Sequence, residues 1–300
     1  MRELQDLGDV IRRHAHNSHG PTGLDGVMIQ ATDAPTPPRP GLADPCLAVV
    51  VQGRKRTAVG DGVFDYAAGE FLIIQLDLPV TGCVTEASPE LPFLGFGIRL
   101  DPTEVASLLL ESAQLPDRSV PEPSGIAVAQ ADTRLLSAAS HLLGLLDAPQ
   151  DAAVLAPLYR REVIWRLLTG PLGSLVQNIG LADGNLAHIA RTLHWIREHH
   201  RDPIRIEELA AIAGMSASTF HRHFRAVTHM TPIQYQKAIR LREARVALVS
   251  SRADVAGTAH AVGYDSVSQF SREYRRAFGA PPGRDAQRLR TEGSSIEATS

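Results

Sequence analysis

Cysteine is nearly missing from this 300-residue chain, which has two, Cys46 and Cys83. Two thiols cannot build the disulfide framework of a small secreted domain, and neither has a second cysteine close enough in sequence to suggest a zinc site. One bridge or two free thiols stay open. Long apolar runs are missing too: no stretch of about 18 uncharged apolar residues occurs, which excludes a spanning helix by hydropathy. The Arg-bearing start, Met1 to Arg13, lacks the apolar centre of a signal peptide, so a cytoplasmic chain is expected. What is present, 44% apolar and 21% charged residues, is ordinary globular composition and excludes disorder and collagen. The length predicts two domains at about 100 to 200 residues each.

The net charge of -3 conceals two halves of opposite sign. Residues 1 to 187 hold 13 Lys+Arg against 22 Asp+Glu, whereas residues 188 to 290 hold 17 against 9, a local +8. Sixteen of those 17 are Arg, with Lys237 the exception. The guanidinium fork matches phosphate and guanine edges, so the second half points to nucleic acid.

Residues 1 to 30 carry no strong period, and Ala34 to Pro45 is Pro-rich, as extended surface chain would be. From Cys46 to Leu100 short apolar runs alternate with glycine: Leu47 to Val51, Arg54 to Val59, a hairpin signal at Gly60-Asp61-Gly62, Val63 to Tyr66, Phe71 to Leu76 and Phe93 to Leu100. A sandwich or small barrel follows, its interior filled by side chains or left open for one ligand. Then the period becomes helical over Thr103 to Gln114, Ala131 to Leu146 and Asp151 to Leu168. Leu135, Leu136, Leu142, Leu143, Leu145 and Leu146 exceed what one face needs, leaving core and dimer seam as alternatives. Gly170 to Gly184 reads as a linker.

Beyond Leu186 a unit recurs. Glu207 to Phe224 runs helix, glycine turn at Gly214, Ser216 cap, helix; Asp254 to Tyr274 repeats this with Gly263 and Ser266. Tandem helix-turn-helix units are the economical reading. Phe220, Phe224 and Val227 form an apolar stripe on the second helix of the first unit, which puts Ser218, His221, Arg222 and Arg225 on the solvated face. In the second unit Phe270, Tyr274 and Phe278 leave Ser268, Gln269, Arg272 and Arg275 outward. Arg suits guanine, Gln suits adenine and Ser suits either. His223 is expected to pack, and Glu273 to face away or pair with an Arg. A helix from Pro232 to about Val249 separates the units; it spans roughly 25 Å and can hold the two reading helices near 34 Å apart, one turn of B-DNA.

These residues carry a family resemblance. Leu209-Ala-x-x-Ala-Gly-Met-Ser, Arg222-x-Phe, Pro232-x-x-Tyr235, Arg240-Leu241, Ala244-Arg245, Val262-Gly-Tyr-x-Ser266-x-Ser-x-Phe270-Ser-Arg-x-Tyr-Arg-Arg and Gly279-x-Pro-Pro resemble the AraC/XylS transcription regulators over about 100 residues. The resemblance implies that both second helices enter adjacent major grooves through the eight residues named above, and that RNA polymerase is contacted in activation. Thr258 stands where the family has an apolar residue, and Gly257 costs its helix about 1 kcal/mol relative to Ala. In the first half, Val51-Gln-Gly-Arg-Lys-Arg, Val59-Gly-Asp, Phe64-Asp-Tyr-x-x-Gly69, Leu78-Pro and Ala87-Ser-Pro-Glu-x-Pro92 resemble the effector domain of one AraC branch, a cupin-like barrel followed by helices. That implies a small-molecule sensor and dimerisation module with no single effector, reactive aldehydes being a recurrent suggestion.

The expected fold is thus α+β in two domains: a cupin-like effector and dimerisation domain over 20–170, a linker over 171–185 and an all-α DNA-binding domain over 186–290. The expected function is a one-component, small-molecule-responsive, sequence-specific regulator, an activator in the first instance, with double-stranded DNA, RNA polymerase, an unidentified effector and a second copy of the chain as partners, and no membrane. Cupin enzymes hold metal through histidines, yet no His lies between His19 and His141. No enzyme activity, metal or cofactor is therefore expected, and a metal-free cupin-like enzyme fused to a DNA-binding domain is the outlying alternative. His14, His16 and His19 precede the strands and read as solvated surface. Arg54-Lys55-Arg56 either meets an anionic effector or pairs with Asp61, Asp65 and Glu70, the pairing being the working expectation. Sensing of oxidants or electrophiles through Cys46 or Cys83 is a further alternative, set against inert buried thiols.

Overall fold

The period-two stretches of the first half become strands in the computed structural model, which describes residues 2–15, 20–112, 124–181, 185–250 and 254–297. Helix α1 (Arg2–His14) comes first. It is followed by β1 (Gly20–Pro21), β2 (Val27–Thr32), β3 (Arg39–Ala43), β4 (Cys46–Gln52), β5 (Arg54–Val59), β6 (Gly62–Ala67), β7 (Glu70–Ile74), β8 (Leu78–Glu86) and β9 (Phe93–Arg99). After α2 (Pro102–Glu111), β10 (Ile126–Gln130) returns to the sheet. The strands form two antiparallel sheets, ordered β1-β2-β9-β4-β7-β10 and β3-β8-β5-β6. The hairpin expected at Gly60-Asp61-Gly62 is present, with Val59 opposite Gly62 across β5 and β6.

Because side chains alternate across a strand, the six-stranded sheet has two apolar faces. Leu47, Val49, Val51, Ile73 and Ile98 pack outward with helical residues. Val50, Leu72 and Ile74 belong instead to the cluster that includes Val59, Tyr66 and Val84 of the smaller sheet. The outer layer consists of α1, α3 (Thr133–Gly144), α4 (Ala152–Thr169) and α5 (Gly173–Gly180). Helix α1 is an element that sequence periodicity overlooks: it buries Leu7 and Ile11 completely.

Leu135, Leu136, Leu142, Leu143 and Leu145 are buried in this same core, so they are intramolecular packing and not an exposed dimer seam. Inside the expected linker, α5 buries Leu175, Val176 and Ile179 against the helical layer; residues 182–184 lie outside the described residues. His16 and His19 also lie outside them. His14 pairs with Asp147 at 2.7 Å beside Arg13.

The second half is helical: α6 (Asn185–Glu198), α7 (Ile206–Ala213), α8 (Ala217–Thr228), α9 (Pro232–Ser250), α10 (Val255–Ala261), α11 (Val267–Phe278) and α12 (Pro282–Glu297). Helix α9 contributes to two apolar clusters. Its first half contributes Tyr235 and Ile239 to the Phe220 and Phe224 cluster, and its second half contributes Leu241, Ala244 and Leu248 to the Phe270 and Tyr274 cluster. Thr258, the departure from the apolar pattern, is buried with its hydroxyl donating to the Asp254 carbonyl oxygen at 2.8 Å, so it leaves no unpaired donor.

The second core is locked by Asp285, which is fully buried. It accepts from Arg245 Nε at 2.8 Å, Tyr274 Oη at 3.0 Å and Arg288 at 2.7 Å, which ties α9, α11 and α12 together. Burial alone would raise the Asp285 pKa, but these hydrogen bonds outweigh it and hold the carboxyl below its ordinary value. A depressed folded-state pKa contributes stability above the unfolded-state value that is lost as the pH falls through the folded-state value. Asp285→Ala should therefore destabilise the chain by about 3 kcal/mol at neutral pH, by leaving Arg245 without its partner. Denaturant titration checks this, and the difference should shrink as the pH is lowered below the ordinary carboxylate range.

Candidate nucleic-acid interface

Each repeated unit turns on a glycine whose φ is positive, 65° at Gly214 and 89° at Gly263, a conformation that other residues adopt only under strain. Beyond the turns, Ser216 Oγ accepts from the Thr219 amide and Ser266 Oγ from the Gln269 amide, each at 3.3 Å. Both second helices thus begin with the expected serine caps, and their remaining first-turn N–H groups stay available to an anion. The apolar stripe is buried as the spacing requires: Phe220, Phe224, Val227, Phe270 and Tyr274.

All eight sequence-predicted contact residues are exposed. On α8 these are Ser218, His221, Arg222 and Arg225; on α11 they are Ser268, Gln269, Arg272 and Arg275. Among the described residues Arg222, Arg272 and Arg275 pair with no carboxylate, whereas Gln269 donates to Glu273 at 3.1 Å. Glu273 is held by the Lys237 ammonium at 2.8 Å and the Tyr264 hydroxyl at 2.9 Å, so its cationic partner is a lysine and not the expected arginine. His223 is half-buried beside the stripe. Arg240 serves the scaffold, donating to the carbonyl oxygens of His200, Arg201, Asp202 and Gly263.

Arg225 departs from the rest. It donates to Asp61 at 2.8 Å, and Asp61 lies in the β5–β6 turn of the barrel. The hydrogen bond from Arg225 holds the Asp61 carboxyl below its ordinary pKa, with nearby His229 adding to the effect. Asp61, His221, Arg222, Arg225 and His229 line one concavity, so an acidic barrel residue sits beside the exposed face of α8.

This contact belongs to a broader junction. The Asp61 amide donates to the His229 carbonyl oxygen at 3.1 Å, and the Gly125 amide donates to that of Val227 at 3.0 Å. Tyr235 Oη donates to the Asp77 carbonyl oxygen at 2.9 Å, while Arg197 pairs with the Asp77 carboxylate. The apolar cluster is continuous from Leu72, Ile74 and Ile126 of the barrel to Val227, Met230 and Tyr235. Sequence reasoning missed Asp61, Asp77 and Gly125 as junction residues. A two-residue turn signals a hairpin and carries no trace of what packs on it.

Between the two sheets lies a cavity of about 390 Å³ whose lining includes Gln30, Cys46, Lys55, Tyr66, Cys83 and Phe93. Cys46 and Cys83 are free thiols. Burial pushes the Cys46 thiol up to about 12, which leaves little reactive thiolate at neutral pH. Arg54 pairs with Glu86 and Arg56 with Asp65, so the basic cluster is partly a structural pairing, though with Glu86 where Asp61 and Glu70 were expected. Its middle member, Lys55, turns inward to Gln30. Among the described residues no group of three or more His, Cys, Asp or Glu could hold a metal ion, and no helix is long and apolar enough to cross a membrane.

Comparison with known proteins agrees with both halves. Residues 23–175 match the AraC-type transcriptional regulator N-terminus family, and residues 209–288 match a helix-turn-helix domain family. The HTH-type transcriptional activator RhaS of Klebsiella pneumoniae (strain 342) is 30% identical over 159 residues, covering 51% of this chain and 56% of that protein. RhaS of Salmonella schwarzengrund (strain CVM19633) is 29% identical over the same length and coverage. The chain thus spans about half the length of the curated relatives it matches. Among solved structures, unsaturated fatty acid bound wild-type ToxT from Vibrio cholerae aligns at a TM-score of 0.55 and 8% identity, covering 90% of this chain and 96% of that one, a likeness of fold. By the family match over half its length, the chain belongs to the AraC-type transcriptional regulators.

Proposed function

We propose that this protein is a one-component, sequence-specific DNA-binding regulator in which a small molecule held by the barrel alters operator binding by the tandem helix-turn-helix units. The observation that carries the reading is the pair of serine-capped helices presenting Arg222 and Arg272 on exposed faces with no carboxylate partner among the described residues. Helix α9, 19 residues long, separates the two units and supports entry into successive major grooves on one side of the duplex. By likeness to the RhaS activators the sign is activation, with RNA polymerase as a protein partner. The barrel half is the proposed contact between two copies, and the cytoplasm is the proposed location.

Base reading and phosphate contact are separable. Arg222→Ala and Arg272→Ala should each relax preference at one base position, by about 1 to 3 kcal/mol where the guanidinium is bidentate to guanine. Fluorescence anisotropy on operator and scrambled duplexes checks this. Equal losses on both would mean that these arginines touch only phosphate.

The junction supplies the regulatory step. While Arg225 is engaged by Asp61 it is unavailable to DNA, so the docked arrangement is the restrained one, and an effector acts by its different affinity for docked and undocked forms. A Cβ at Gly125 would run into the Val227 carbonyl oxygen. Gly125→Ala should therefore undock α8 and raise the affinity of the full chain for DNA by roughly fivefold or more. Unchanged or weaker binding by a folded Gly125→Ala chain would contradict restraint by docking.

A further inference from the structure

Strand β5 sorts the Arg54-Lys55-Arg56 cluster by face. Arg54 and Arg56 are taken outside by Glu86 and Asp65. Lys55 and Thr57 face the space between the sheets and line its cavity of about 390 Å³, a size within the usual range for small-molecule sites. Most of the wall is apolar, including Ala48, Leu72, Ile74, Val84, Phe93 and Phe96. No Asp or Glu lines it, although this half of the chain is rich in acids. Its two charged lining residues are Lys55 and the exposed Arg39.

Lys55 is one of two lysines in the chain. Its Nζ donates to Gln30 Oε1 at 3.0 Å, a neutral acceptor that can take one of three ammonium protons. No carboxylate pairs with Lys55 or Arg39 among the described residues. Burial depresses the Lys55 pKa. A half-buried cation facing an apolar cavity with only a neutral partner is costly, and an arriving anion would relieve that cost. The hydroxyls of Thr57 and Tyr66 already face each other at 3.4 Å, so one interior cation surrounded by hydrocarbon is matched best by a single negative charge on an apolar body. A phosphate dianion would bring a second charge with nothing inside the cavity to meet it.

We propose that the barrel interior binds an amphipathic monocarboxylate, its carboxylate accepting from Lys55 and its hydrocarbon filling the space between the sheets. This deepens the effector reading above and rests on it. The ligand class can be tested without DNA, by calorimetric titration of the purified full chain with octanoate, 1-octanol and octylamine, which share a tail and differ in head group. Octanoate should bind about ten- to a hundredfold more tightly than octanol, the advantage of a charge-assisted hydrogen bond, and octylamine more weakly than either. Lys55→Gln should remove that advantage and leave octanol binding unchanged. Gly82→Val, whose Cβ would lie 3.8 Å from the Lys55 side chain, should block both ligands and so provides a second variant independent of charge.

Equal affinity for octanoate and octanol, undiminished octanoate binding in Lys55→Gln, or no binding of any of the three would overturn the proposal. DNA affinity of the same preparations, with and without octanoate, separates the two readings. Octanoate binding that leaves DNA affinity unchanged would keep the site and remove its effector role. Loss of the ligand class with DNA binding intact would leave the regulator standing.

Discussion

Two backbone hydrogen bonds, from the Gly125 amide to Val227 and from the Asp61 amide to His229, fasten the barrel to the carboxy-terminal end of α8. The Tyr235 and Arg197 contacts to Asp77 add to this seat. Each such bond contributes about 1 kcal/mol, and burying a large apolar side chain such as Val227 contributes about 1.5 to 3 kcal/mol. The Arg225–Asp61 ion pair is exposed on both sides, and exposed pairs contribute little to stability. The seat is therefore held by backbone pairing and apolar contact. The ion pair has another consequence: it occupies the guanidinium of Arg225, one of the residues proposed to contact DNA.

This division explains why the two helix-turn-helix units are unequal. The first shares its apolar cluster with the barrel, whereas the second has a core of its own, centred on Phe270 and Tyr274 and closed by the buried Asp285. Helix α9 contributes to both clusters.

The repeated units were legible in the sequence because their signals are local. Glycine at the turn, serine at the cap and aromatic residues four apart fix the geometry within about ten residues, and Phe220, Phe224, Phe270 and Tyr274 are buried as that spacing requires. The strands around Gly60-Asp61-Gly62 were legible for the same reason. Helix α1 was hidden, although Leu7 and Ile11 lie one turn apart, because its partner surface, the outer face of β4 and β9, is far away in sequence. The leucines of α3 looked excessive for one face because the chain alone does not reveal that α1, α4 and the sheet surround them. Lys55 was concealed by its neighbours: three cations in a row read as one surface cluster until period-two alternation turns the middle one inward. Asp61 and Gly125 had no local signature, since their role exists only once the second half is docked.

The central claim is that two helices of one chain read two neighbouring grooves. Selection of bound sequences from a random duplex pool by the full chain, at moderate salt and with bulk competitor DNA, tests it most directly. The account predicts enriched sites with two information-bearing blocks about 10 base pairs apart. A pool that enriches no sequence over competitor, or one that yields a single block, would contradict it.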